Sequence, residues 1–358
     1  MTPAHLNSAD LNPVDLSRAD LDRADLNRAP ATRLPAVLAG YRCGRSLACC
    51  QLPWKATLQP GELPALLAGP MPAAQLLRGA LSRRPGTPLL SQPGGVCSLL
   101  DPQAQACRLQ QSGGLTALPL ACRNFPRSVV ETPQGREVAF LLACPTAAAM
   151  VVAQPQPFAW QSLQDPQDLD NYPAYRRVAD RVAASRAADW TLAELERWRE
   201  GWWQRLGDPD QELLQILSDA QRTPLDPWTK SPIDPASVLP QPWTQPQVQA
   251  VTEALSRLRD SGELHRSQVR NLWQRWLQPA DPQAIREAAQ QHRQLASCCA
   301  GLWLQHAAVH DGRPLGEAMG IVAHQTGQLL RLIGEFQVGP PNALALRDAV
   351  VAASHWAR

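Results

Sequence analysis

Cys97-Ser98-Leu99-Leu100-Asp101, Cys107-Arg108-Leu109, Pro119-Leu120-Ala121-Cys122-Arg123-Asn124-Phe125-Pro126-Arg127 and Cys144-Pro145 follow one another in one stretch of the chain. With Cys43, Cys49 and Cys50 just before them, they place seven of the nine cysteines in one region. Thiols at this density either bridge one another or hold a soft metal as thiolates. Spacing narrows the choice. The region has no Cys-x2-Cys pair, which argues against a simple zinc ribbon. It also lacks the Cys-x3-Cys-x2-Cys loop of radical enzymes. Successive side chains diverge, so the adjacent Cys49 and Cys50 are expected to serve two metals, or one ligand position and one packing position.

Composition bears on the redox state of these thiols. The 358 residues carry a net charge of +2, too little for strong attraction to nucleic acid or anionic lipid. No apolar run reaches the roughly 18 residues of a membrane helix. The start, Met1-Thr2-Pro3-Ala4-His5, has neither the basic residues nor the apolar core of a secretory signal. The expected compartment is the cytoplasm, where stable disulfides are rare, and metal ligation is therefore the first reading of the cysteines.

Four parts are expected. Residues 1–34 form a tail in which Leu6, Leu11, Leu16, Leu21 and Leu26 recur every five residues, each after Asp or His. This period resembles the pentapeptide-repeat pattern, but about five units are few for a solenoid core, and a flexible or docking tail is the simpler reading. Residues 35–152 form a loop-rich cysteine domain whose folding depends on its metal. Within it, Val138 to Leu142 reads as a strand leading into Cys144. A Pro- and Gln-rich linker over 153–173 separates this domain from a helical segment, 174–222. A second linker, Pro224 to Pro246, leads to a helical bundle, 243–358.

The expected fold is thus mainly α: a small cysteine-cluster metal-binding domain followed by an α-helical bundle. In the helical half, Thr191 and Glu194 make a capping box. Leu192, Leu195, Trp198, Trp202 and Leu206 form a stripe with Gly207 as a stop. Trp203 faces away from that stripe and is expected to be the one exposed ring among packed tryptophans. Helices are also expected around Val248–Leu258, Val269–Leu277, 283–310 and 315–336. Cys298 and Cys299 read as core positions, since unbridged cysteine is a strongly buried residue type. Their helical face also carries His292, His306 and His310, a weaker metal-binding alternative.

The run Cys-x-Leu-Leu, Cys, Pro-x-x-Cys-Arg-x-Phe-Pro-Arg, preceded by a Cys-Cys pair, resembles the YkgJ-type cysteine-cluster family of zinc- or iron-chelating proteins. It also resembles the flagellin lysine-N-methylase (FliB) family. The likeness covers about residues 41–146. The resemblance implies Cys49, Cys50, Cys97, Cys107, Cys122 and Cys144 as metal ligands. Gly44 to Ala48 lack a cysteine common in the family, a place that Cys43 would fill. It further implies a [4Fe-4S] cluster or zinc and, for the methylase, S-adenosylmethionine and methyl transfer to the lysines of a partner protein. Arg123 or Arg127 would then pair with the carboxylate of the methyl donor. No nucleotide-binding loop accompanies these residues. A non-catalytic zinc-binding or metal-handling module that engages a protein partner is the alternative. The ligand set expected is Cys97, Cys107 and Cys122, completed by Cys50 or Cys144. Phe125-Pro126 is expected to pack under the cluster.

Overall fold

The structure is a computed structural model. It describes residues 31–163, 176–225, 281–336 and 343–355, apart from short internal stretches. The pentapeptide-like tail and the helices expected around Val248–Leu258 and Val269–Leu277 lie outside the described residues.

The fold is mainly α with a few small sheets. In the first part, β1 (Ala31–Pro35) precedes three short helices, α1 (Ala48–Gln51), α2 (Glu62–Leu67) and α3 (Met71–Ala80). The hairpin β2 (Leu100–Asp101) and β3 (Ala106–Cys107) leads into α4 (Arg108–Gly113) and α5 (Leu120–Asn124). The hairpin β4 (Arg127–Thr132) and β5 (Gly135–Phe140) is followed by α6 (Pro145–Ala153) and β6 (Trp160–Leu163). Beyond lie β7 (Arg176–Arg177), the hairpin β8 (Arg181–Ser185) and β9 (Ala188–Thr191), and α7 (Leu192–Gly207) and α8 (Leu213–Arg222). The last part holds α9 (Pro282–Gln291), α10 (Arg293–Gln305) with a π-helical turn over His306–His310, α11 (Leu315–Phe336) and α12 (Ala343–His355).

The strand expected before Cys144 is β5, the centre of a five-stranded sheet of order β6-β1-β5-β4-β7. Its hairpin closes tightly because Thr132 pairs with Gly135, whose φ of 129° suits a residue without Cβ. The Thr132 hydroxyl donates to the Gly135 carbonyl at 2.9 Å. Part of the expected 153–173 linker is strand: Trp160–Leu163 pairs antiparallel with β1 as the edge of that sheet. A single half-buried segment rich in polar residues gives little period to read, and its strand character comes from the neighbour it pairs with.

Two separate clusters of buried side chains result. The large one runs from Leu34 and Leu38 through Val129, Val138, Phe140 and Cys144 to Trp202, Leu302, Leu329 and Val350. It unites the sheet and α6 with the helical bundle: α6 packs on α12, α10 on α7, and α11 on α8, α9, α10 and α12. The small one contains Cys50, Ala56, Leu77, Leu90, Cys97, Leu99, Leu109 and Leu118, with Cys49, Cys107 and Cys122 packed against it. Residues 35–152 contribute to both.

The capping box at α7 forms as its sequence predicts. The Thr191 hydroxyl accepts from the Glu194 amide at 3.3 Å, and the Glu194 carboxylate accepts from the Thr191 amide at 2.7 Å. The whole predicted stripe is buried. Trp203 departs from expectation. It is 6% exposed, stacks on Phe158 with ring centroids 4.0 Å apart, and donates its indole N–H to the Gly301 carbonyl at 3.2 Å. Its face of α7 is covered by α10 and by the segment before β6, partners far away in sequence. The other indoles of the helix are satisfied through Pro224, whose carbonyl accepts from Trp198 at 2.9 Å and from Trp202 at 3.3 Å.

Candidate metal centre

Five cysteines converge on the small core from separate segments. Cys49 and Cys50 ride on α1, Cys97 on the turn before β2, Cys107 at the end of β3 and Cys122 within α5. Backbone pairing explains the convergence. The Cys97 amide donates to the Cys50 carbonyl at 2.7 Å, which ties the turn to α1. Leu100 pairs with Cys107 across the β2–β3 hairpin, and the Arg108 amide donates to the Leu99 carbonyl at 2.9 Å. The hairpin turn is shaped by Asp101, whose carboxylate accepts from the amides of Gln103 and Ala104, each at 2.9 Å. Glu62 places the last cysteine: its carboxylate accepts from the Gln59 amide at 2.8 Å and from the Leu120 amide that opens α5.

Cys50 is the hub. Its thiol is hydrogen-bonded with Cys107, Cys49 and Cys97, and the Cys49 and Cys50 sulfurs lie 3.9 Å apart. These bonds hold the Cys50 proton and push its thiol far above the ordinary range, with burial adding to the effect. The three neighbours move the other way. Cys107 falls to about 6, first through its bond with Cys50 and then through the Gln110 and Leu109 amides and the Arg108 charge, against the opposing effect of burial. Cys97 falls to about 7, again chiefly through Cys50. Cys49 is also lowered by Cys50. Cys122 is pushed up by burial and by the neighbouring thiols Cys49, Cys97 and Cys107. Cys50 and Cys122 are thus pushed up, whereas Cys49, Cys97 and Cys107 are lowered.

The donor chemistry fits a soft ion. As it stands, the set is organised around the Cys50 sulfur and not around a common centre. Among the described residues no group of three or more Cys, His, Asp or Glu side chains is disposed to hold a metal ion. No disulfide joins any of the nine cysteines.

Cys43 and Cys144 stand elsewhere. Cys144 caps the start of α6 inside the large core, where the Tyr41 hydroxyl and its sulfur are 3.5 Å apart. Burial raises the Cys144 thiol. Cys43 is exposed. The arginines expected to bind a carboxylate are also placed differently. Arg123 is exposed at the end of α5. Arg127 sits over the Tyr41 ring, 5.9 Å from its centroid, and donates to the Asn124 carbonyl at 3.4 Å. The arginine whose charge acts on the cluster is Arg108, which directly follows Cys107 and donates to the Ser98 carbonyl. Its place directly after Cys107 is the signal the sequence holds, but Cys107-Arg108 belongs to no motif. Phe125 packs against the large core and not under the cluster.

The remaining sequence candidates are structural in their contacts. Cys298 and Cys299 are buried in α10, where desolvation lifts Cys298 to about 11 and Cys299 well above its ordinary range. His292 precedes α10, and His306 opens the π-helical turn, so the expected single helical face is interrupted at both ends. A cleft of about 740 Å³ lies beside Trp160, Trp190 and Trp198, with Arg33, Glu196 and Arg197 at its charged side. No helix among the described residues is long and apolar enough to cross a membrane.

No family model matches this chain, and comparison with curated proteins and with solved structures gives no match.

Proposed function

We propose that the protein is a metal-binding cysteine-cluster protein in which Cys50, Cys97, Cys107 and Cys122 hold a soft metal, with Cys49 as an adjoining thiol. The observation that supports it most is the gathering of five cysteines from separate segments into one small core, with Cys50 rather than Cys144 at their centre. Thiolate is the ligand shared by zinc and iron–sulfur clusters, and both fit this donor set. When bound, such a group would supply folding energy to a core of small extent. The chain's own residues provide the rest. The Gln110 and Leu109 amides and Arg108 stabilise negative charge on Cys107, and Glu62 fixes α5 against α2. Occupation requires Cys50 to release its proton, since the thiolate is the ligand.

A cytoplasmic, reducing environment belongs to this reading, because it keeps the thiols available as ligands. A protein partner or substrate also belongs to it, engaged through the helical half or the N-terminal residues. Methyl transfer from S-adenosylmethionine to protein lysines is the catalytic extension. In it, Arg108 takes the place given to Arg123 and Arg127, since it is the arginine beside the thiols.

Anaerobic purification followed by analysis of iron, sulfide and zinc per chain tests the metal reading. Stoichiometric iron with sulfide supports a cluster, and stoichiometric zinc supports a structural site. A metal-free chain that takes up neither on reconstitution overturns the proposal. Incubation of the loaded protein with labelled S-adenosylmethionine and candidate proteins then tests the extension.

A further inference from the structure

The cleft beside α7 is built from residues that the metal reading does not use. Its volume, about 740 Å³, falls within the range of small-molecule sites, roughly 300–1,000 Å³. Its walls are fixed by contacts of their own. Trp190 of β9 packs edge-to-face on Trp198, with ring centroids 6.4 Å apart, and the Trp198 indole N–H donates to the Pro224 carbonyl at 2.9 Å. Arg33 lies over the Trp160 ring, 4.5 Å from its centroid, and is clamped by Glu137 and Glu196. Groups held in place before a ligand arrives lower the ordering cost of binding.

Several polar atoms at this cleft have capacity to spare. Glu194 uses Oε2 for both of its bonds with Thr191, and Glu200 uses Oε1 to accept from Gln204 at 3.1 Å. Among the described residues, the second oxygen of each carboxylate has no hydrogen-bond partner, and neither has the indole N–H of the half-buried Trp190. Arg197 stands three residues from each glutamate. It makes no hydrogen bond or ion pair among the described residues, although its charge acts on Glu194. Residues three apart are neighbours on a helix, so acceptor, donor and acceptor alternate along this face of α7. The pattern selects against charged ligands. An anion would meet Glu194, Glu196 and Glu200, and a cation would meet Arg197. A hydroxyl both donates and accepts, so a neutral molecule with several hydroxyls satisfies the carboxylates and the guanidinium together. A sugar ring also offers an apolar C–H face that matches the broad face of an indole.

We propose that this cleft is a binding site for a neutral saccharide. One pyranose ring stacks on Trp190, its hydroxyls donate to Glu194 and Glu200, and one of its oxygens accepts from Arg197. The cleft shares no residue with the small cysteine core, so this assignment stands apart from the metal reading.

A glycan array probed with the full-length chain tests the assignment, with the best saccharide then measured by calorimetry and saturation-transfer NMR. At least one neutral glycan should bind, with saturation strongest on one C–H face of a ring. Trp190→Ala should weaken that binding about tenfold, whereas Trp190→Phe should keep most of it. Glu200→Gln and Arg197→Met, both at exposed positions, should each weaken it several-fold, with circular dichroism confirming that every variant is folded. Arginine amide and citrate serve as charged probes. Absence of any bound neutral glycan, unchanged affinity in Trp190→Ala, or tighter binding of a charged probe that Trp190→Ala removes overturns the proposal and leaves the metal reading standing.

Discussion

Arg199 and Glu137 form a two-pronged ion pair deep in the protein: Nη1 lies 2.9 Å from Oε2 and Nη2 lies 3.0 Å from Oε1, with both side chains almost wholly buried. Arg33 and Glu196 complete a network that joins β1, β5 and α7. Arg33 also stacks on the Trp160 ring, 4.5 Å from its centroid. Removing one member of a buried pair strands the other charge, at a cost of about 3–5 kcal/mol. Glu137→Ala is therefore expected to lower the unfolding free energy by about that amount in a denaturant titration, with Glu196 moderating the loss. A change below about 1 kcal/mol would place the network with weak surface pairs instead.

The same pair fixes an acid limit. Burial alone would raise the Glu137 carboxyl, but the charges and hydrogen bonds of Arg199 and Arg33 outweigh it and hold the group well below the carboxylate range. The folded state thus binds this proton less readily than the unfolded state, whose value is about 4.3. The stabilisation is complete above that pH and is lost as the pH falls from there toward the folded value. Stability measured against pH should drop below about pH 4.3 in the wild type, and the drop should be shallower in Glu137→Gln.

Gly301 sits where α10 meets Phe158. A Cβ at this position would stand 2.9 Å from the Phe158 Cβ, an atom that cannot swing aside. Alanine gains about 1 kcal/mol of helix propensity over glycine, whereas overpacking costs about 1–3 kcal/mol. The clash should win, so Gly301→Ala is expected to destabilise the protein slightly and to shift tryptophan fluorescence through Trp203, which stacks on the same Phe158. Stabilisation with unchanged fluorescence would show that the contact relaxes freely.

Thr191→Ala removes the hydroxyl half of the capping box on α7. A loss of about 1 kcal/mol is expected from thermal unfolding, and Thr191→Ser should restore most of it. Equal stability of all three proteins would mean that packing of the buried stripe alone sets this end of the helix.

Much of this was readable in the sequence where the signal was local. The Thr191–Glu194 box, the Leu192 to Leu206 stripe and the core placement of Cys298 and Cys299 depend on spacings within one helix. The cysteine cluster was legible as a density of thiols, but its membership was not. Cys144 looks like Cys122 in the linear sequence, yet the β4–β5 hairpin between them carries it into the large core beside Tyr41. Helical spacing alone turns Trp203 outward, because its partners, Phe158 and Gly301, lie 45 and 98 residues away in the chain. The Glu137–Arg199 network was invisible for the same reason: its charges come from three elements that meet only in the tertiary fold.

The most direct test of the central claim is an anaerobic cadmium titration of the full-length protein, read by the ultraviolet thiolate-to-metal absorption. The wild type should saturate sharply at a stoichiometric point. Cys107→Ser and Cys122→Ser should lose most of that signal, while Cys144→Ser and Cys298→Ser should keep it. Equal binding by the wild type and Cys107→Ser, or loss of binding in Cys144→Ser alone, would contradict the proposal that the thiols around Cys50 form the metal centre.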